Sequence, residues 1–162
     1  MKLNAALKKL KASSVFKKFT KEHPDFYLVH AFKMLEEKES DWQIGYYSKK
    51  KDKMVVFDVG KKIILSPESE VFKKEGSVEG IDMAKVRVSS EKALETAERH
   101  IKKKYVGEQV TRRIVILQKI ERLMWNLTFV TAAFNIINLK IDADSGKIFH
   151  DERTSILQLG KQ

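Results

Sequence analysis

The sequence predicts an α+β fold made of two tandem repeats, each a helix packed on an antiparallel sheet of about four strands. Three observations carry that expectation. WQIGYY at Trp42 and WNLTFV at Trp125 each run through a turn into an apolar strand, and each then reaches an acidic residue, a glycine, a lysine and an isoleucine. The tryptophans stand 83 residues apart and Gly60 and Gly146 stand 86 apart, so the register holds with a small insertion, as a duplicated unit would. Around both tryptophans apolar and polar residues alternate, the pattern of an antiparallel strand with one buried face. The implied boundaries are 1-75 for a first repeat with an N-terminal amphipathic helix, 76-85 for a linker and 86-162 for the second repeat.

In the first repeat, Leu3, Leu7 and Leu10 recur at helical spacing and are followed by Val15, Phe16 and Phe19, with lysines between. One or two amphipathic helices ending before Pro24 follow from this. DFYLVHAFKML, from Asp25 onward, is too apolar for a loop and rich in aromatic and branched residues, so it reads as a strand. From Trp42 the chain alternates, with Trp42, Ile44 and Tyr46 on one face and Gln43, Gly45 and Tyr47 on the other. SKKKDK supplies a turn, MVVFDV the next strand, Gly60 a reversal and KIIL a fourth strand. Ser66 and Pro67 have the chemistry of a helix cap and first helical residue, which predicts a short helix to about Lys74, a break at Gly76 and a linker to Asp82.

The second repeat is marked more plainly. Ser89 and Ser90 are helix caps before EKALETAERHIKKKY, where Ala93, Leu94, Ala97 and Ile101 share one face. Acidic residues come early in this helix and lysines late, as the helix dipole prefers. VTRRIVILQ, Arg122 to Thr131 and IINLKID read as strands, with Leu123, Trp125, Leu127 and Phe129 inward. Asp144, Ser145 and Gly146 carry turn chemistry. KIFHDE closes the sheet, and the tail reads as a short helix or a frayed strand.

Composition bounds the function. The chain has 162 residues, 43% of them apolar, and no cysteine, which excludes disulfides, thiol catalysis and thiolate metal sites. No apolar stretch approaches the roughly 20 residues needed to span a bilayer. Lys8, Lys9 and Lys11 interrupt the segment where a secretory signal needs an unbroken apolar region, so the chain as given reads as cytoplasmic, or as extracytoplasmic if a leader has been removed. The net charge of +10 is shared equally between the halves and clusters at Lys8, Lys9 and Lys11, at Lys49, Lys50 and Lys51, and at Lys102 to Lys104. Each cluster suits a solvated helix face, a soluble hairpin tip or a helix C-terminus. Lys49, Lys50 and Lys51 are the candidate anion contact.

VSSEKALETA, then a strand, WNLTF and LKIDADSGKI together resemble a PepSY domain: a helix opened by serine and glutamate before an Ala-Leu pair, a tryptophan strand and a closing hairpin with an aspartate and a turn glycine. The resemblance is clearest over 86-152 and weaker over 13-66. It implies a PepSY/cystatin-like helix-on-sheet fold and a non-catalytic module of the kind found in protease propeptides and envelope proteins, with an inhibitory or binding role.

No residue set points to catalysis. His23, His30, His100 and His150 do not stand at metal-ligand spacing, and Asp142, Asp144 and Gly146 begin like a calcium loop without its closing ligands. His150 beside Asp151 and Glu152 is the nearest approach to a polar site. No catalytic, cofactor-binding or metal residue is assigned, and no enzyme activity or cofactor is expected. The function expected is a protein-binding or regulatory, inhibitor-like module, with another protein as partner and a homodimer also open. The alternative is nucleic-acid binding through the dispersed lysines. A small molecule held between helix and sheet is a third reading. The candidate partner contact is Ala132, Ala133 and Phe134, because the turn after the first tryptophan strand is cationic while this one is apolar.

Overall fold

The computed structural model of the chain describes residues 1–70 and 78–159. Its fold is α+β with antiparallel strands, but the two separate helix-on-sheet repeats do not form. The strands are β1 (Tyr27–Leu35), β2 (Trp42–Ser48), β3 (Lys53–Val59), β4 (Ile63–Leu65), β5 (Val110–Ile120), β6 (Arg122–Thr131), β7 (Asn135–Asp142) and β8 (Ile148–Ser155). They make one eight-stranded sheet in the order β4-β3-β2-β1-β5-β6-β7-β8. The joint is β1 against β5, from His30 opposite Gln118 to Leu35 opposite Arg113. Two separate sheets would each leave a long row of backbone donors and acceptors unpaired on these strands. Pairing them satisfies both rows. Local alternation carries no signal of this partner, which is why the sequence suggested two sheets.

Helices α1 (Leu3–Ala12), α2 (Ser14–Glu22) and α3 (Ser90–Lys104) lie on one face of the sheet, and α4 (Ile156–Leu159) follows β8. Ser13 separates α1 from α2; it is extended at φ −73° and ψ 147°, and its hydroxyl caps α2 by accepting from the Phe16 amide. Ser89 caps α3 in the same way through the Lys92 amide. The buried sides of α1 and α2 are Leu3, Ala6, Leu7, Leu10 and Phe19; that of α3 is Ala93, Ala97 and Ile101. Beneath them lie Ile44, Phe57, Leu117, Leu127, Phe129, Ile137 and Leu139, all fully buried.

Both tryptophans are on strands and almost fully buried, Trp42 at 2% exposure and Trp125 at 1%. Each satisfies its indole N–H on backbone from the helical layer. Trp42 Nε1 donates to the Met1 carbonyl at 2.9 Å, and Trp125 Nε1 donates to the Val88 carbonyl at 2.8 Å.

The helix expected from Ser66 and Pro67 is not formed over the residues described. Ser66 instead locks onto β3: its amide donates to the Val56 carbonyl and its hydroxyl accepts from the Val56 amide, both within 3 Å. Ser69 then bridges Met54. The hydroxyl that could cap a helix here completes a strand edge. Residues 71–77, which hold the rest of that helix and the predicted break at Gly76, lie outside the described residues.

Gly45 shows how tightly the sheet is specified. It faces away from the helices, between His30 on β1 and Val56 on β3, and the His30 imidazole lies over it. A Cβ here would stand 2.0 Å from His30 Cε1. Gly45→Ala is therefore expected to lower stability by about 1–3 kcal/mol through overpacking. Adding His30→Ala should recover most of that loss in a double-mutant cycle read by urea denaturation. Additive losses would show that the imidazole is not what excludes the methyl group.

Candidate functional site

The helices cover one face of the sheet, and strand alternation assigns the other. Phe32 and Met34 of β1, Ile114 and Ile116 of β5, Val130 of β6 and Ile136 of β7 have the opposite parity from the buried core. All six are only half-buried, whereas their neighbours Ala31, Val115, Leu117, Phe129 and Ile137 on the helix side are at 2% exposure or less. The bottom of this face is crossed by the segment entering α3. Tyr27 donates its hydroxyl to the Val78 carbonyl at 2.7 Å, and the Ile81 amide donates to the Leu28 carbonyl. The centre and top carry no covering element among the described residues. His30 sits at the margin of this apolar field, and burial pushes its imidazole pKa down.

On β6 and β7 the middle of this face is polar, Asn138 donating to Asn126 Oδ1 at 2.6 Å and to Thr128 Oγ1 at 3.3 Å, and apolar residues resume at Val130 and Ile136 beside the predicted partner contact. Val130 and Ile136 are paired across β6 and β7, immediately below the turn of Ala132, Ala133 and Phe134. All three turn residues are exposed, Phe134 at 60%. Phe134 also has φ +61°, a left-handed conformation that favours glycine and is uncommon for a bulky side chain. Its backbone is held from both sides, its amide donating to the Thr131 carbonyl and its carbonyl accepting from Ile156. The ring itself is left outward.

Lys49, Lys50 and Lys51, the predicted anion contact, form the exposed β2–β3 tip at the opposite end of the sheet. Lys51 is engaged there, 3.1 Å from His23 Nδ1, 3.5 Å from Glu68 and 5.8 Å from the Phe26 ring centroid. The charged tip and the apolar tip thus stand apart and form no joint surface.

The histidines are dispersed. His30 is on the open face and His100 on α3; alternation along β8 puts His150 and Glu152 on the open face but Asp151 on the helix side, so the three consecutive polar residues do not converge. No group of three His, Asp or Glu residues suited to a metal occurs among the described residues. Asp142, Asp144 and Gly146 form the β7–β8 hairpin turn. One Asp142 oxygen accepts from the Asp144 and Ser145 amides, each at 2.9 Å, and Gly146 takes φ +78°. Those amides, with Arg122 adding to their effect, hold the Asp142 pKa below the ordinary carboxylate value.

A polar cluster that sequence reading did not single out fastens α3 to β8. Asp151 accepts from His100 Nε2 at 2.7 Å, Lys104 Nζ at 2.7 Å and the Tyr105 hydroxyl at 2.6 Å. Burial opposes its ionisation, but the Lys104, Tyr105 and His100 donors outweigh that cost and bring its pKa down to about 2. Burial and the bond to Asp151 push the Tyr105 hydroxyl up, and the same carboxylate raises Lys104. A carboxylate held ionised by three donors is a fastener. The only local sign was His100 and Lys104 one helical turn apart beside Tyr105; their acceptor lies about 50 residues on, beyond the reach of spacing arguments.

No protein-family model matches the chain, and no curated sequence matches it. Among solved structures, its fold is similar to the crystal structure of a protein described as a candidate lipoprotein from Clostridium difficile 630, with a TM-score of 0.59, 12% identity, and coverage of 86% of this chain and 90% of that chain. At that identity the likeness is one of fold. No helix among the described residues is long and apolar enough to cross a membrane.

Proposed function

We propose that this chain is a non-catalytic, PepSY-type binding module that recognises another protein through the uncovered sheet face and its apolar tip. The observation that carries the reading is Phe134, an exposed aromatic held at positive φ on a turn that continues the apolar pair Val130 and Ile136, with Phe32, Met34, Ile114 and Ile116 further along the same face. A strained, outward aromatic serves neither the core nor the turn, and such residues gather where contacts are made. The partner best suited has an apolar patch with acidic groups at its rim, because Lys140 borders the face and the chain carries +10 overall, while Arg112 at the same rim is already paired with Glu36. The same excess charge disfavours a second copy of this chain as the occupant. Binding there would act by occlusion, as an inhibitory or regulatory module does.

Phe134→Gly tests the reading cleanly. Glycine prefers the left-handed turn position, so thermal stability should hold or rise while a partner captured from native extract is lost, an aromatic anchor contributing about 2 kcal/mol, or roughly thirtyfold in affinity. Ile116→Lys in the middle of the face should abolish the same capture. Wild-type capture should survive high salt. Retention of the same partner by both variants, or its complete loss in salt, would exclude this face as the binding surface.

A further inference from the structure

The first two helices carry a charge pattern that neither the core nor the open face uses. Residues 1–22 contain seven lysines, no arginine and a single acidic residue, Glu22. Lys9 is partly buried and donates to the Gly60 carbonyl, tying α1 to the β3–β4 turn. The other six, Lys2, Lys8, Lys11, Lys17, Lys18 and Lys21, are all exposed, and none has an ion-pair partner among the described residues. The contrast with α3 is informative. There Lys92 and Arg99 share Glu95, Arg113 of β5 reaches Glu98, and Lys104 holds Asp151, so that only Lys102 and Lys103 among its basic residues lack an ion-pair partner among the described residues.

Because Leu3, Leu7, Leu10 and Phe19 are buried on the sheet, the lysines project from the outer side of the helical layer. On α2, Lys17, Lys18 and Lys21 fall within one turn of each other, opposite Phe16 and Phe19. Holding this much like charge together without neutralisation costs folding free energy, and an anionic partner would recover it.

We propose that the outer face of α1 and α2 docks on an anionic phospholipid surface. Two features favour lipid headgroups over nucleic acid. The cations are all lysines, which act as hydrated point charges and lack the planar fork of arginine that reads phosphate and base edges. Among the described residues the face has no exposed aromatic ring on which a base could stack, since Phe16 is half-buried against Tyr46 and Phe57 and Phe19 is in the core. Val15, 36% exposed, flanks the buried side of α2 beside Phe19 and not the lysines, so the lysine side carries charge without an apolar wedge. The apolar sides of both helices remain in the core, so this is adsorption by charge. The opposite sheet face stays free toward solution.

The test is co-sedimentation of the chain with vesicles of phosphatidylcholine alone and of phosphatidylcholine mixed with phosphatidylglycerol, at low and high salt. Binding is expected only to the mixed vesicles and should weaken steeply with salt. Replacing Lys17, Lys18 and Lys21 together with glutamine should weaken it by about a hundredfold, the factor that three lysines at about 1 kcal/mol each imply. The matched variant with Lys38, Lys85 and Lys147 changed to glutamine, three exposed lysines outside α1, α2 and α3, has the same net charge and should bind nearly as the wild type does, with both variants keeping the wild-type melting temperature. Equal losses from the two triple variants would overturn the proposal, reducing it to a net-charge effect. Duplex DNA or RNA that displaces the vesicles at low occupancy, and loses its own binding with the α2 variant, would assign the face to nucleic acid instead.

Discussion

Replacing Trp125 with alanine is expected to destabilise the chain by about 3–5 kcal/mol, enough to unfold a marginally stable domain at ordinary temperature. The side chain is 1% exposed, and its strand neighbours Leu117 and Ile141 are themselves fully buried, so little can move into the space it leaves. The loss has a second part. The Val88 carbonyl, which accepts from Trp125 Nε1, would have to find another donor next to the start of α3. Trp125→Phe gives an intermediate case, since it removes the donor and part of the ring volume but keeps an aromatic side chain in the site. Urea denaturation should rank the chains wild type, then phenylalanine, then alanine. An alanine variant within 1 kcal/mol of wild type, well below the about 3 kcal/mol expected, would contradict the packing described.

Asp151→Asn is the next largest effect expected, about 2 kcal/mol, because hydrogen bonds to a charged group contribute more than neutral ones and three converge here. Lys104 is half-exposed, so water screens its bond and the loss stays below the sum of three full bonds. The pH dependence has a definite sign. Asp151 has a folded pKa of about 2 against an ordinary 3.8, so its contribution is complete above 3.8 and disappears as the pH falls toward 2. Wild type should therefore lose stability across that window more steeply than Asp151→Asn, whose amide does not titrate. Parallel curves for the two chains would show that Asp151 is not held by these donors.

The elements were largely legible, because each rests on local chemistry. Alternation at Trp42 to Tyr46 and at Leu123 to Phe129 gives strands with the predicted residues inward, and Ser89 caps α3 as its position implies. The assembly was not legible. The β1–β5 joint depends on residues far apart in sequence, and nothing in either strand names the other. One sign was present: in β5, Ile114 and Ile116 are apolar along with Val115 and Leu117, a run with no polar face, as expected of a central strand and not of an outer one. Ser66 and Pro67 misled because a serine hydroxyl can serve a helix amide or a neighbouring strand equally well, and the adjacent β3 decides. At the candidate surface, the contrast between two turns singles out Phe134, which the structure shows exposed. The apolar field beneath it was missed, since strands assigned to different sheets could not be added into one face.

The β1–β5 joint also governs how the molecule folds and fails. Its partners, such as Met34 and Ile114, are about 80 residues apart along the chain, so closing it requires a large loss of chain entropy before any contact offsets it. The other six pairings among the described strands join consecutive strands, so this joint is the slow, long-range step and is expected to close after the hairpins on either side of it. Once formed, the joint makes each half the wall of the other. A disturbance at Trp42 is then expected to reach the strands around Trp125, and the chain should melt as a single cooperative unit where two independent repeats would melt in sequence.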